Sequence, residues 1–240
     1  LLQYTSGSTA NPKGVALTLA NLAHNLDLME QAFAPRRGAR IVSWLPHFHD
    51  MGLVAGTMAP FATGGDAVLM APLAFLQRPL RWLQAISDHG AEISGGPNFA
   101  YELCVKAAQR SQPLTLDLSS WRSAFAGAEP VRVATLDAFA ERFASDGFRR
   151  QALTPCYGMA EATLLVSCKP ADTLPRAHRL SREALCNVHA LADSGGSAVQ
   201  LTGCGRPVGP TVMRIVDPVR GVVLPPGQVG EVWIAGPQVA

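Results

Sequence analysis

An α/β fold, with a mostly parallel sheet flanked by helices and followed by the start of a β-rich subdomain, is predicted by three observations. Strand-like and helix-like hydrophobic periods alternate over roughly the first 165 residues, the pattern of helices laid on a parallel sheet. Gly-rich turns follow two of the strand-like runs, at the strand ends where such sheets carry their sites. Beyond Cys204 only short strand-like runs and turns remain.

The elements follow in order. Thr18 is placed to cap a helix whose apolar face is Leu19, Leu22, Leu26, Met29 and Phe33, spaced by threes and fours. Residues 41–45 (IVSWL) and 66–70 (DAVLM) are short bounded runs expected as buried strands. Pro79 opens a second helix with Leu80, Leu83 and Ile86 facing inward. Residues 91–97 (AEISGGP) read as a strand entering a Gly turn, and 98–109 as a helix carrying Phe99, Leu103 and Val105. Residues 121–127 (WRSAFAG) repeat the strand-and-turn pattern. A helix over 131–144 then turns Leu136, Phe139 and Phe143 inward, with Gly147 just past its end. Residues 168–204 show no strong period and hold Pro170, Pro175 and a Gly-Ser cluster, which reads as an inserted or linking segment. Residues 211–217 and 231–235 are strands, and Pro225-Pro226-Gly227 between them is a turn. The expected organisation is an α/β nucleotide- and acyl-binding subdomain at 1–167, the segment 168–204, and the start of a β-rich subdomain at 205–240.

Composition narrows the function classes. Hydrophobic residues are 48% and charged residues 16% of the 240, enough for a sizeable core and too little charge for disorder. A net charge of +2, with basic residues scattered, argues against a nucleic-acid partner. The charge-free run at 51–65 is broken by Gly52, Gly56, Pro60 and Gly64, so no membrane span is expected. The first residues turn polar at once, unlike a signal peptide. With no initiator Met, and a strand-like run near residue 240, both ends are expected to be cut from something longer. None of the five cysteines sits at C-x-x-C spacing, which points to reduced, buried thiols in a cytoplasmic protein and away from a zinc site.

The most informative stretch is 4–14 (YTSGSTANPKG). Thr5, Ser6, Ser8 and Thr9 offer hydroxyls, Gly7 and Gly14 let backbone N–H groups approach an anion, and Lys13 supplies a mobile point charge. It is neither a Walker A loop nor G-x-G-x-x-G. A generic polar turn would not need Pro12-Lys13-Gly14 at its end.

On this loop the sequence resembles the adenylate-forming superfamily, which includes acyl-CoA synthetases, luciferases, peptide-synthetase adenylation domains and fatty acyl-AMP ligases. The loop matches that family's T-S-G-S-T-G-x-P-K-G signature, with Ala10 where Gly is usual. The resemblance implies that Thr5, Ser6, Gly7, Ser8, Thr9 and Lys13 bind the phosphates of ATP. Residues 44–53 (WLPHFHDMGL) are similar to the family's second core motif, which implies that His49, next to Asp50, lies beside the activated carboxylate. Taken alone, His49 reads rather as a hydrogen-bonded core residue; within the ordered set of motifs it reads as a site residue. Gly127-Ala128-Glu129-Pro130 resembles the loop along the adenine ring. Tyr157-Gly158-Met159-Ala160-Glu161-Ala162-Thr163 resembles the Y-G-x-T/A-E motif, in which the tyrosine stacks on adenine and the glutamate binds Mg²⁺. Many relatives carry Thr where Ala160 stands, and Thr163 is the candidate to supply that hydroxyl. Glu161 has apolar neighbours on both sides, a costly setting for a carboxylate unless it is paired or metal-bound. Residues 230–237 (GEVWIAGP) resemble a structural strand of the family. Of the groups named, Lys13, His49 and Glu161 are the expected catalytic ones.

Three details resemble the fatty acyl-AMP ligase branch: His49-Asp50-Met51-Gly52-Leu53, the stretch 95–103 (GGPNFAYEL), and Ala160-Glu161-Ala162-Thr163 followed by a long insertion. The branch implies that Gly95, Gly96 and Asn98 line an acyl tunnel with His49 and Asp50, although ordinary strand-turn packing explains them as well. It implies that 168–204 hinders the movement that admits coenzyme A. It also implies that a fatty acid, activated by ATP and Mg²⁺, passes to an acyl carrier protein or a polyketide or peptide synthase. The catalytic lysine of the family lies in a C-terminal domain, and neither Lys106 nor Lys169 sits in a matching motif, so the chain is expected to be the central part of a larger enzyme. An acyl-CoA synthetase piece and a non-catalytic nucleotide- or acyl-binding module remain the alternatives.

Overall fold

The computed structural model describes residues 1–5, 13–110, 112 and 114–240. A hairpin comes first, β1 (Leu2–Thr5) antiparallel to β2 (Lys13–Ala16), with Thr5 opposite Lys13. Helix α1 (Leu19–Phe33) begins at Thr18, whose hydroxyl accepts from Asn21 N at 3.1 Å while Asn21 Oδ1 accepts from Thr18 N at 2.9 Å. This is a capping box closed by Asn. The buried stripe of α1 is Leu22, Asn25, Leu28, Met29 and Ala32. Leu19, expected inside, is exposed, because that stripe begins one turn later.

Strand β3 (Arg40–Ser43) leads through 44–50 into a π-helix (Met51–Met58) that continues as α2 (Ala59–Thr63). Periodicity signals no helix here, yet the glycines are what the structure needs. A Cβ on Gly52 would lie 2.1 Å from the Pro46 carbonyl oxygen, and one on Gly56 2.5 Å from Ser43 Oγ, so the π-helix presses on the end of β3 at backbone distance. Strand β4 (Asp66–Leu69), expected to be buried, is the last strand at one edge of the sheet and only partly covered.

Helices α3 (Pro72–Gln77) and α4 (Leu80–His89) precede β5 (Ile93–Gly96); α5 (Asn98–Arg110) precedes β6 (Ser123–Ala126); α6 (Val133–Arg142) precedes β7 (Leu153–Gly158) and β8 (Leu165–Cys168). The segment 168–204, without a period in sequence, carries β9 (Ala177–Leu180), α7 (Arg182–Cys186) and β10 (Val199–Thr202), with β9 and β10 paired antiparallel. Beyond it lie β11 (Arg206–Pro207), β12 (Val212–Asp217), β13 (Val222–Val223) and β14 (Glu231–Ala235), the last three forming a small antiparallel sheet.

The main sheet has the order β11-β8-β7-β6-β5-β3-β4, parallel from β4 to β7 and antiparallel at β7/β8 and β8/β11. It crosses both expected segment boundaries: β8 spans 167/168, and β11 returns to the same sheet from the far side of 204.

Two apolar clusters cover the sheet. One joins α3, α4, α5 and α6 to the strands through interlocked rings, including Trp82–Trp121 at 5.3 Å and Tyr101–Phe139 at 5.0 Å, both edge-to-face. Three of its polar handles are satisfied, while Trp44 Nε1 is buried without a partner among the described residues. Trp82 Nε1 donates to Ser94 Oγ (2.7 Å), Tyr101 donates to the Phe125 carbonyl (2.7 Å), and Trp121 Nε1 donates to the Ser123 carbonyl (3.0 Å). The other cluster joins α1, the π-helix and α2 to β8. Asn25, fully buried in α1, donates to the Leu165 carbonyl (3.0 Å) and accepts from Leu165 N (3.1 Å), fixing α1 on β8.

Candidate active site

From β3 the chain runs to β4 on one side, and β5 takes the other side, so the strand order reverses between β3 and β5. In open parallel sheets, ligand crevices form at such a switch point, outside the carboxyl ends. A cavity of about 430 Å³ lies at these ends. Its polar rim is Thr5 from β1, His49 and Asp50 after β3, Gly127 and Ala128 after β6, and Tyr157, Gly158, Met159, Ala160 and Glu161 at and after the end of β7. Its apolar wall includes Met29 and Phe33 of α1, Met51 and Ala55 of the π-helix, and Phe125 of β6.

The rim is built by close backbone approaches. Between Tyr157 and Gly158 the β7/β8 register shifts, and a Cβ on Gly158 would lie 1.9 Å from the Leu164 carbonyl oxygen. The turn 159–164 is closed by Met159 N donating to the Leu164 carbonyl at 2.9 Å. Ala128 holds φ +65° and Thr163 φ +67°. Positive φ is costly for alanine and more so for a β-branched residue. Such strain collects where a structure must aim particular groups.

His49 Nδ1 donates to Asp50 Oδ1 at 2.6 Å. Met51 N, 3.2 Å from the same Nδ1, also gives its proton to Asp50 Oδ1, at 2.6 Å. The Asp50 hydrogen bond raises the His49 pKa above 6.5, against the opposing effect of partial burial. This leaves Nε2 as the ring's other polar atom. Gln3, buried in β1, donates to the Phe48 carbonyl at 3.1 Å and ties the hairpin to this turn. Tyr157 is half-buried, and among the described residues its hydroxyl reaches only Met159 Sδ, at 3.6 Å. Burial, and then the charge of the Glu161 carboxylate, push its pKa up. Glu161 itself is exposed. Cys156 also lines the cavity, but burial pushes its thiol far up, so it is no nucleophile.

Several expected residues lie elsewhere. Gly95 and Gly96 do not line the cavity. A Cβ on Gly95 would meet the Phe125 ring at 2.4 Å, and one on Gly96 the Trp44 ring at 2.7 Å, so both glycines make room for aromatic side chains. Asn98 is also outside, accepting from Arg132 N at 2.9 Å and joining α5 to the start of α6. Glu129 accepts from Phe99 N at 2.7 Å, at the first turn of α5. The Thr163 hydroxyl, expected to replace the one missing at Ala160, is fully buried and donates to the Gln238 carbonyl at 2.7 Å. There it holds the strap 237–240, which also takes Asn21 Nδ2 on its Pro237 and Val239 carbonyls and gives Ala240 N to the Glu161 carbonyl. Lys13 is exposed in β2, next to the loop but outside the cavity lining. Ser6, Gly7, Ser8 and Thr9 lie outside the described residues. Sequence reasoning passed over Met29, Phe33, Met51, Phe125 and Cys156, because an apolar side chain carries the same signal in a core as on a cavity wall.

All five cysteines are free, no described helix is long and apolar enough to cross a membrane, and the described residues hold no cluster of three or more metal-ligating side chains.

Comparison with known proteins gives the family of the chain. The family model described as AMP-binding enzyme matches residues 1–240. The medium-chain-fatty-acid–acyl-carrier-protein ligase JamA of Moorena producens is 45% identical over 243 residues, covering 100% of this chain and 41% of that protein. The medium-chain-fatty-acid–acyl-carrier-protein ligase TtuA of Teredinibacter turnerae is 41% identical over 240 residues, covering 100% of this chain and 37% of the relative. A fatty acyl-adenylate ligase from L. pneumophila, solved in complex with acyl adenylate and pyrophosphate, superposes with a TM-score of 0.93 at 42% identity, covering 99% of this chain and 42% of that one. The chain thus spans about two fifths of the length of these relatives. It belongs to the AMP-binding enzyme family.

Proposed function

We propose, with that membership as the premise, that the complete protein joins a fatty acid to ATP, forming an acyl-adenylate and pyrophosphate, and passes the acyl group to an acyl carrier protein, free or within a polyketide or peptide synthase, in the cytoplasm. One observation carries this reading. A single cavity places a tyrosine, a carboxylate and an imidazole on its rim and Met29, Phe33, Met51 and Phe125 on its wall, which suits a ligand with a polar head and an apolar tail. The acyl-carrier-protein ligase activity for which the two relatives are named and the acyl adenylate in the L. pneumophila complex support it.

The half-buried ring of Tyr157, beside Gly127 and Ala128, offers a flat apolar face to adenine. Thr5 and Lys13, opposite each other in the hairpin, flank the stretch Ser6–Gly7–Ser8–Thr9, and together these residues bind the phosphates. Glu161 fits Mg²⁺ by its chemistry, an exposed hard oxygen donor on the cavity rim, and its lack of further protein ligands among the described residues suits an ion shared with phosphates. When bound, Mg²⁺ neutralises phosphate charge as pyrophosphate leaves. His49, its Nδ1 held by Asp50, turns Nε2 to the fatty-acid carboxylate and orients it. A carboxylate oxygen attacks the α-phosphorus, a P–O bond forms, and the bond to the β-phosphate oxygen breaks.

The test is fatty-acid-dependent exchange of pyrophosphate into ATP by the complete protein. Glu161→Ala is expected to slow it at least about 100-fold, the scale of losing one group that stabilises transition-state charge. Exchange untouched by that change would refute the site. Mass spectrometry of the acyl acceptor decides the second half: acyl-CoA in place of acylated carrier protein would overturn the carrier role. If 168–204 is the barrier to coenzyme A, its deletion makes acyl-CoA appear.

A further inference from the structure

Behind the apolar wall of the cavity lies a second hollow of about 20 Å³, between α1, α2 and strands β3 and β5. Leu26, Pro35, Ala39, Ile41, Ala59 and Ile93 make its surface mostly apolar, with the exposed Glu30 as its one charged lining residue. Thr63, also on its wall, keeps its hydroxyl on the Ala59 and Pro60 carbonyls of its own helix, at 3.1 and 3.2 Å. The two spaces share four side chains, Met29, Phe33, Ala55 and Phe125, so nothing thicker than one layer of side chains divides them.

These four are not equally free to move. Phe125 sits in the central strand β6, only 4% exposed, with its ring laid against Gly95. Met29 is buried in the α1 stripe, and Ala55 has no reach. Phe33 is only half-buried and is the last residue of α1, with Ala34 after it already in the left-handed conformation. Its ring stacks on Phe125 at 5.9 Å with 29° between planes, the two rings forming the wall together.

We propose that Phe33 sets the longest acyl chain the site accepts, by closing the passage from the cavity into the hollow beneath α1. This rests on reading the cavity as a fatty acyl-adenylate site. A chain whose methyl end reaches Phe33 fills the cavity, and a longer one must displace that ring before it can pass between α1 and the sheet. Shortening the side chain joins the two spaces, and each methylene newly buried there favours the longer substrate by roughly fourfold.

The experiment compares the complete protein with Phe33→Ala, Phe33→Leu and Phe33→Trp, measuring kcat/KM for pyrophosphate release over saturated acids from hexanoic to octadecanoic. Phe33→Ala is expected to raise the value for an acid two methylenes past the wild-type optimum roughly 15-fold relative to that optimum. Phe33→Leu shifts the profile the same way by less, Phe33→Trp shifts it toward shorter acids, and the KM for ATP stays put. If Phe33→Ala does not fold, the opposite shifts of the Leu and Trp variants carry the test. An unmoved profile, or an equal loss at every length, overturns the role of Phe33 and leaves the adenylating function standing. A wild-type protein that releases no pyrophosphate with any of these acids overturns both.

Discussion

Trp82 and Tyr101, between the helices and the sheet, and Tyr157 and His49, on the cavity rim, are all rings bearing a polar group, yet their surroundings differ. Trp82 and Tyr101 are fully buried and donate to protein acceptors at 2.7 Å. Among the described residues the Tyr157 hydroxyl reaches only a thioether sulfur, at 3.6 Å, and the His49 side chain is 52% exposed. The backbone differs too. From residue 40 to 127 no described residue other than glycine has positive φ, whereas Ala128 and Thr163, by the rim, both do. A ring fully buried with its polar atom on a protein acceptor is scaffold. One that stays partly exposed with a polar atom free or weakly partnered, beside a strained turn, is available to a ligand.

The largest expected effect tests the scaffold half of that contrast. Trp121→Ala removes a ring packed against Trp82, Phe139 and Phe148 and should cost about 3–5 kcal/mol in unfolding of the complete protein. A loss below about 1 kcal/mol in the denaturant midpoint would mean that the aromatic cluster does not carry the stability assigned to it.

The next sharpens the rim half. Tyr157→Ala should weaken ATP binding by about 1–3 kcal/mol, the range for a base stacked on an aromatic ring. Tyr157→Phe should change it little, since among the described residues the hydroxyl has only a sulfur partner. Calorimetric titration of both variants gives the answer, and a Phe variant as weak as the Ala variant would make the hydroxyl, not the ring, the working part.

The smallest effect concerns pH. The hydrogen bond to Asp50 raises the His49 pKa above 6.5, so its contribution to stability is complete below that value and is lost as pH rises through the raised pKa. With half the ring in solvent, the contribution stays below about 1 kcal/mol. Asp50→Asn should bring the midpoint back toward 6.5 in an NMR titration of His49 and flatten this part of the stability profile. A midpoint that does not fall would show that Asp50 does not hold the imidazolium.

The parts of the site legible in sequence are those that need a particular residue type. Gly158 was recognisable because its motif is chemical, and the structure supplies the reason in the Leu164 carbonyl 1.9 Å from any Cβ there. The Thr18 cap and the inward-facing Leu83, Ile86, Leu136 and Phe139 were legible because capping and helical period are local. The π-helix was not, because its widened turn has no period in a run diluted by glycine. Thr163 was misassigned because its partner, Gln238, lies 75 residues away.

The sequence by itself determined the alternation of α1, β3, β4, α4, β5, α5, β6 and α6, the Thr18 cap, and the residue types on the rim, since each depends on neighbours within a turn or two. Tertiary structure alone decided which side of a packed layer faces the cavity. Gly95 serves Phe125 rather than the cavity, Asn98 and Glu129 join and cap helices, and Phe33 and Phe125 divide one apolar space from another. An apolar or small residue satisfies the same hydrophobic pattern in a core and on a cavity wall, and only the three-dimensional arrangement of its neighbours separates the two.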